Sequence, residues 1–381
     1  MRAGKHMNRH IGWIVFTFLL FAVPIKVQAS DADGLLNLEE FKLETVEESL
    51  EELSYSESFH FTDAVRSLMK GEIPLNVENV KQLVFQVLFS EMQNQKSTAV
   101  QVLLLVIAAA VIMNFTDIME KNGTAGVGFY VMYLLLFALL MKAFYGMSQM
   151  MGTSLGHVTG FMTALIPSYF AASVFAAGSV SGVAFYEFTF VLIAVIQWLL
   201  KHILLPGAEL YVLFQMLNHL SKDDRLSRMA ELMRTLIEWT LRTLMTTAIG
   251  LQAVQSLVLP AVDSVKNTAI NRAASAVPGL GNIFGGVTDM VLGSAVLLKN
   301  SIGVCGMIAI LFICIAPVCR LAICALLYRA IAAVIQPVSD KRLNACVAAV
   351  SDGAGLLLKI MSATGMLFFL TLAMVTASLG K

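Results

Sequence analysis

One short motif in this sequence has the spacing of a catalytic nucleophile. Residues 152–156 read GTSLG, which matches G-x-S-x-G, and His157 follows directly. In hydrolases this motif places its serine on a sharp turn between a strand and a helix, where the hydroxyl can attack a carbonyl carbon. Here both flanks are apolar segments typical of membrane helices. The sequence therefore argues against a catalytic Ser154 and predicts no catalytic residue elsewhere.

Other chemistry-bearing motifs are missing from the sequence. It contains no G-x₄-G-K-[ST] loop, no H-E-x-x-H pair and no Asp-rich calcium loop. The histidines after residue 100, which are His157, His202 and His219, lack the spacing of metal ligands. No stretch gathers the lysines and arginines that a nucleic-acid backbone requires. We therefore expect no metal, no cofactor and no nucleic-acid partner.

Several ionisable residues lie inside apolar segments, where an unpaired charge costs at least about 2.5 kcal/mol. Lys142 lies near the end of a predicted span and can extend to the interface, and Glu238 can pair with Arg242 at i,i+4. Asp289 and Lys299 have no such explanation. The full set is Lys142, Glu187, Glu238, Arg242, Asp289 and Lys299.

The surroundings of Asp289 and Lys299 suggest a polar site. The two residues lie in and just after a glycine-rich stretch at 279–293. Further polar side chains that nearby segments could contribute are Gln252, Asn282 and Asn300. We hypothesise that this neighbourhood lines a polar path or forms a subunit contact. The alternative is a structural ion pair within one bundle.

Glycines recur at four-residue spacing in three segments. Such ridges let helix backbones approach closely in lipid, where association depends on packing. They predict helix packing within a bundle or between copies in a homo-oligomer. The residues are Gly152, Gly156 and Gly160, then Gly178 and Gly182, then Gly281 and Gly285.

The composition predicts a membrane protein. Hydrophobic residues make up 57% of the 381 residues and charged residues 14%, against about 25% charged in soluble domains. The five cysteines all lie in the apolar C-terminal third and lack C-x₂-C spacing, so we expect buried, unpaired thiols. They are Cys305, Cys314, Cys319, Cys324 and Cys346.

The first 29 residues have the layout of a secretory signal. Basic residues precede an apolar run at 11–23, and small residues end at Ala29. Thirteen apolar residues are short for a span of about 20, which favours cleavage after Ala29 over retention as an anchor. In either case the chain from Ser30 onward is expected on the outer face of the membrane.

Residues 30–97 predict an acidic, extracytoplasmic helical region. They contain 14 acidic and five basic side chains, a net charge of −9. Apolar residues from Leu43 to Leu53 recur at helical spacing among glutamates. A second helix over 62–70 and a third after Asn76 follow. The apolar stripe either packs on the chain itself or docks another protein.

From residue 98 to 381 the sequence predicts a multi-pass, all-helical membrane domain of about six to eight spans. Residues 206–222 form either an interfacial helix or half of a hairpin, and prolines 167, 206 and 278 suggest broken helices. The predicted spans are 98–116, 127–147, 157–178, 183–205, 233–258, 283–298, 302–326 and 356–378.

Two basic stretches give conflicting information on topology. The stretch 222–234 and the stretch 320–342 should both be cytoplasmic by the positive-inside rule. With an outer N-terminus and four single crossings, however, the first stretch falls outside. Either one predicted span is miscounted or the segment 206–222 also crosses.

Three linked stretches resemble the stage III sporulation protein AE family. They are GLQAVQ at 250–255 with LPAVD at 259–263, PGLGN at 278–282 with TD at 288–289 and LGS at 292–294, and LKNSIG at 298–303. The IPSY at 166–169 and AGS at 177–179 are similar too. The resemblance covers roughly residues 100 to 378.

The resemblance implies a non-enzymatic subunit of a channel or secretion-like complex between the mother cell and the engulfed forespore. Its expected location is the outer, mother-cell-derived forespore membrane. The implied partners are the other membrane proteins of the stage III sporulation A operon and, through them, forespore protein Q. The rival interpretations are an autonomous secondary transporter and, more remotely, an intramembrane hydrolase built on Ser154.

Overall fold

A computed structural model describes most of the chain. The described residues are 41, 43–51, 60–72, 77–118, 124–177, 181–220, 226–274, 281–337 and 339–378. The predicted signal segment, with its cleavage site at Ala29, lies outside them.

The described residues form helices joined by short connections, and no strand occurs among them. This confirms the predicted all-helical class. The helices are α1 Leu43–Glu51, α2 Phe61–Met69, α3 Val77–Ile118, α4 Thr124–Ala177, α5 Ser181–Leu199, α6 Leu205–Leu220, α7 Ser227–Ala274, α8 Gly281–Ile335 and α9 Lys341–Ser378.

Five stretches of the described helices are long and apolar enough to cross a membrane. A stretch of about 20 apolar residues is sufficient for that, and each of these is longer. They are Val84–Val111, Tyr130–Ala176, Phe188–Leu220, Gly293–Ile335 and Lys341–Thr376. The predicted segment 233–258 falls in α7, which is not among these five stretches of the described residues.

Two pairs of predicted spans are single helices in the structure. Residues 127–147 and 157–178 both belong to α4, and 283–298 and 302–326 both belong to α8. The polar and small residues between the members of each pair, at 148–156 and 299–301, do not interrupt the helix. Pro167 also lies inside α4. A bundle can tolerate the lost hydrogen bond of such a proline because neighbouring groups satisfy the freed carbonyl.

The described part of the segment 206–222 is one half of a helical hairpin with α7 and not an isolated interfacial helix. A Cβ at Gly207 would lie 3.4 Å from Ile237, and the Leu226 amide donates to Asn218 near the other end of α6. A π-helical turn over Leu200–Leu204 joins α5 directly to α6, and Pro206 lies in the first turn of α6. Proline lacks the N–H that an α-helix would use at that position. The wider turn accommodates this defect without ending the helix.

Helices α8 and α9 form an antiparallel pair. Gly303 of α8 lies against Thr376 near the end of α9, whereas the Ser351 hydroxyl donates to the Ala325 carbonyl at 2.8 Å. The start of α8 thus lies beside the end of α9, and later residues of α8 lie beside earlier residues of α9. Helix α4 also runs antiparallel to α6, because the Tyr133 hydroxyl donates to the Met216 carbonyl and the Ser148 hydroxyl to Glu209.

The two basic stretches meet at one end of the bundle. Arg342 of α9 lies beside Tyr133, whose hydroxyl reaches Met216 at the end of α6. The amide of Leu226, which precedes α7, donates to Asn218 at 2.8 Å. Leu226 and Arg342, which flank the two connections, therefore both lie near the start of α4, as a common cytoplasmic side would require.

The acidic N-terminal helices lie at the opposite end of α4. Phe41 stacks edge-on against Phe175 with ring centroids 5.5 Å apart, and Phe61 does so against Phe161 at 6.2 Å. Among the described residues, only α3, α4 and the joined α5–α6 lie between these helices and Leu226. The topological conflict in the sequence arises from counting α4 as two crossings.

The apolar stripe of α1 packs on the chain itself. Leu43, Val46 and Leu50 are 5% exposed or less, whereas Glu44 and Glu48 face outward. This confirms the amphipathic helix and shows that its apolar face is covered by this bundle. Helix α3 runs from Val77 past residue 98 without a break, so the predicted boundary at 97 and 98 falls inside a helix.

Glycines on α8 and α9 allow these helices to approach each other and their neighbours closely, because glycine has no side chain. A Cβ at Gly306 would lie 2.6 Å from Leu165 and 3.0 Å from Leu372, and one at Gly365 would lie 2.9 Å from the Cys314 sulfur. A Cβ at Gly353 would overlap Val212 and Phe144. In lipid, such close packing is a main source of helix association.

Two glycines on α9 give a direct test of this packing. We expect Gly353→Ala to cost about 1–3 kcal/mol, because the added methyl group would collide with Val212 and Phe144. Gly355→Ala should be neutral or stabilising by up to about 1 kcal/mol, since no atom lies within 4 Å of its Cβ position. Thermal unfolding of both variants in detergent measures this. Equal unfolding temperatures for the two would contradict it.

Candidate functional site

The most unusual side chain in the described core is Lys299. It lies in α8 with 0% of its surface exposed, and its Nζ has no hydrogen-bond partner among the described residues. Burying an amine without a partner is costly, so such a residue in a folded protein calls for an explanation. The structure thus supports the sequence-based interest in this position.

Two further buried hydroxyls lie close to the same part of α8. Thr376 of α9 contacts Gly303, which is one helical turn after Lys299. The Tyr169 hydroxyl of α4 lies near Thr376 and Ser173. Neither the Tyr169 nor the Thr376 hydroxyl makes a hydrogen bond of good geometry. Three helices therefore each contribute a polar group to this region, which we call the Lys299 region.

The other residues of the predicted polar site are placed less fully. Asn300 is half-buried in α8 beside Lys299. Gln252 lies in α7, and Asn282 and Asp289 lie in α8, but their side chains fall outside the described part. Whether Asp289 approaches Lys299 therefore stays a prediction.

The predicted glycine ridges have different surroundings. Gly152 packs against Leu205 at 3.4 Å, whereas Gly156 and Gly160 are exposed with no atom within 4 Å of a Cβ position. Gly178 is outside the described residues, and the surroundings of the others are not described: Gly182, Gly281 and Gly285. The closest contacts are instead at Gly303, Gly306, Gly353 and Gly365. For two of these four glycines, Gly303 and Gly306, the three-residue spacing in the sequence could have indicated a close helix contact.

Ser154 lies within α4, and its hydroxyl donates to the Met150 carbonyl one turn earlier at 2.9 Å. The strand and sharp turn of a nucleophile elbow are therefore not found at this motif. All five cysteines are free, and four of them are buried while Cys319 is half-buried. This confirms the expected unpaired thiols.

Glu238 pairs differently from the sequence-based expectation. Its carboxylate lies 2.7 Å from Lys359 of α9 and 3.3 Å from Arg234, not beside Arg242. Burial tends to raise the pKa of Glu238, but hydrogen bonds and charges from Lys359 and Arg234 outweigh it and leave the pKa below its usual value. The pairing ties α7 to α9.

A polar groove between α3, α4 and α8 was missed at the sequence level. It has a volume of about 310 Å³ and contains Glu91, Lys142 and Arg320. Glu91 is 8% exposed and accepts from Gln95 at 3.0 Å. Residues on three helices far apart in sequence form this groove, so no local motif could indicate it.

The family of this chain follows from comparison with known proteins. The sequence model of the family described as stage III sporulation protein AE matches residues 59–378. The chain belongs to the stage III sporulation protein AE family. The match begins just before α2, so it includes every described helix except α1.

A relative in this family is stage III sporulation protein AE of Bacillus subtilis (strain 168). It is 21% identical to this chain over 313 residues, which cover 82% of this chain and 78% of the relative. No solved structure is significantly similar to the chain. The family match and the long apolar helices together identify a multi-pass membrane protein associated with sporulation.

The pairing of Glu238 predicts a pH-dependent contribution to stability. A lowered folded pKa means that the contribution is complete above the unfolded value of about 4.3 and is lost as the pH falls through the folded pKa. We expect Glu238→Gln to lower stability at neutral pH by less than about 1 kcal/mol, because the pair is partly exposed.

Thermal unfolding of wild type and Glu238→Gln between neutral and acidic pH measures this effect. The difference between the two proteins should shrink as the pH falls below about 4.3. The exposed Glu231 on the same helix is the control, and Glu231→Gln should show no such convergence. A difference for Glu238→Gln that stays constant with pH would contradict the prediction.

Proposed function

We propose that this protein is a non-enzymatic membrane subunit of a channel or secretion-like complex that joins the mother cell to the engulfed forespore. The observation that carries the proposal is the family match over residues 59–378, which extends through α2 and the membrane bundle. The match therefore concerns most of the chain and not one short motif.

The proposed location is the outer, mother-cell-derived forespore membrane, with α1 and α2 in the intermembrane space. The N-terminal helices and the basic connections lie at opposite ends of α4, and this arrangement supports the proposed orientation. The proposed partners are the other membrane proteins of the stage III sporulation A operon and, through them, forespore protein Q. The outward carboxylates of Glu44 and Glu48 provide a polar surface for such contacts.

The Lys299 region is the part of the bundle that we propose for passage or assembly. A buried amine without a partner is a poor stabilising device, and polar groups inside membrane bundles commonly mark ion or substrate paths. The same observation favours the alternative function, an autonomous secondary transporter. A transporter would act when purified alone, whereas a complex subunit requires its partners.

Deletion of the gene in its host, with a tagged copy for complementation, distinguishes these functions. We expect sporulation to stop after engulfment and the tag to concentrate around the forespore. Normal spores together with a defect in vegetative solute uptake would contradict the complex and support the transporter. Substrate uptake by the purified protein in vesicles gives an independent check of that alternative.

A substitution at Lys299 tests the proposed role of its surroundings. Lys299→Met keeps an unbranched side chain, one heavy atom shorter, and removes a buried amine, so we expect unchanged or higher thermal stability and normal insertion. Spore formation should nevertheless fall. Lys341→Met, at the exposed start of α9, is the control and should sporulate normally. Normal sporulation of Lys299→Met at wild-type protein levels would remove the proposed role.

A further inference from the structure

Helix α3 has an exposed apolar face and a separate polar strip that lines the groove. On the apolar face, Phe89, Met92 and Leu104 are 58%, 59% and 62% exposed. Gln95, Thr98 and Gln101 lie on another side of the helix and line the groove. Exposed apolar side chains on a membrane-length helix suit lipid chains, but the polar strip does not.

The charges in the groove leave one cation without a partner. Glu91 is occupied, because it accepts from Gln95 and lies 3.9 Å from Arg320. Lys142, on the α4 wall, is exposed and makes no hydrogen bond or ion pair with the described residues. Two positive side chains and one negative side chain leave a net charge of +1. The groove is therefore electrostatically suited to a singly charged anion.

The donors in the groove fit a phosphate group. Lysine and arginine are strong phosphate donors, and amide and hydroxyl groups such as those of Gln95, Gln101 and Thr98 can bind the remaining oxygens. The volume of about 310 Å³ is large enough for a head group but too small for a whole lipid. Basic pockets between membrane helices are known sites for anionic head groups.

We propose that this groove binds the phosphate of an anionic phospholipid, with the ammonium of Lys142 as its main contact and the acyl chains along the apolar surface of α3. Glu91 positions the guanidinium of Arg320 at the inner wall of the groove. The bound lipid covers polar groups that would otherwise face hydrocarbon, and it joins α3 to α4 and α8. The proposal is independent of the sporulation role.

The test uses the purified full-length protein in a neutral detergent, titrated with phosphatidylglycerol or phosphatidylcholine while thermal unfolding is followed. We expect phosphatidylglycerol to raise the unfolding temperature of the wild type and phosphatidylcholine to have little effect. Removing one lysine charge should weaken the apparent affinity roughly fivefold in Lys142→Gln. Lys142→Arg should restore it.

Lys96→Gln is the matched control, because Lys96 is an exposed lysine of α3 that does not line the groove. It should respond to phosphatidylglycerol as the wild type does. Inorganic phosphate, tested without lipid, distinguishes the two sources of the anion. An equal response to it would support the phosphate site but overturn the assignment to a lipid.

Other results would overturn the site itself. These are equal stabilisation by the two lipids, or an unchanged phosphatidylglycerol response in Lys142→Gln. If Lys142→Gln does not fold, native mass spectrometry of the wild type and Lys96→Gln provides the second measurement. Retention of phosphatidylglycerol over phosphatidylcholine by both proteins would support the proposal, and retention of neither would contradict it.

Discussion

The close approach of α8 and α9 is the constraint on which the rest of the bundle depends. Gly303, Gly306 and Gly365 remove the side chains that would hold these two antiparallel helices apart. In lipid, helices gain little from the exclusion of water, so van der Waals contact at short distance has to supply the attraction. The remaining long helices then pack around this pair, with α4 lying against α8 at Leu165 and against α9 at Phe144.

The close packing of α8 and α9 makes the buried polar groups of the Lys299 region unexpected. Well-packed apolar helices could have filled that space with leucine at lower cost, because an unpartnered buried amine does not stabilise a bundle. Tyr169 and Thr376 are placed near the same turn of α8 by two other helices. A requirement other than stability is the physical reason to retain such groups.

The charged groups at the surface of the bundle differ in whether they have a partner within the chain. Glu238 is satisfied within the chain by Lys359 and Arg234, so it fastens α7 to α9. Lys142 in the groove has no such partner among the residues that the structure describes. The paired charge of Glu238 therefore indicates a contact between two helices of this chain. The unpaired charge of Lys142, in similar apolar surroundings, indicates an external ligand.

The sequence alone determined the membrane class, the all-helical fold and the amphipathic stripe of α1, because composition and helical periodicity are local properties. It also identified Lys299 as an unusual charge. It could not determine that α4 is a single helix through Pro167, because hydropathy does not report helix continuity. The glycine contacts, the partner of Glu238 and the polar groove were decided by the tertiary structure, since each joins residues that are distant in sequence.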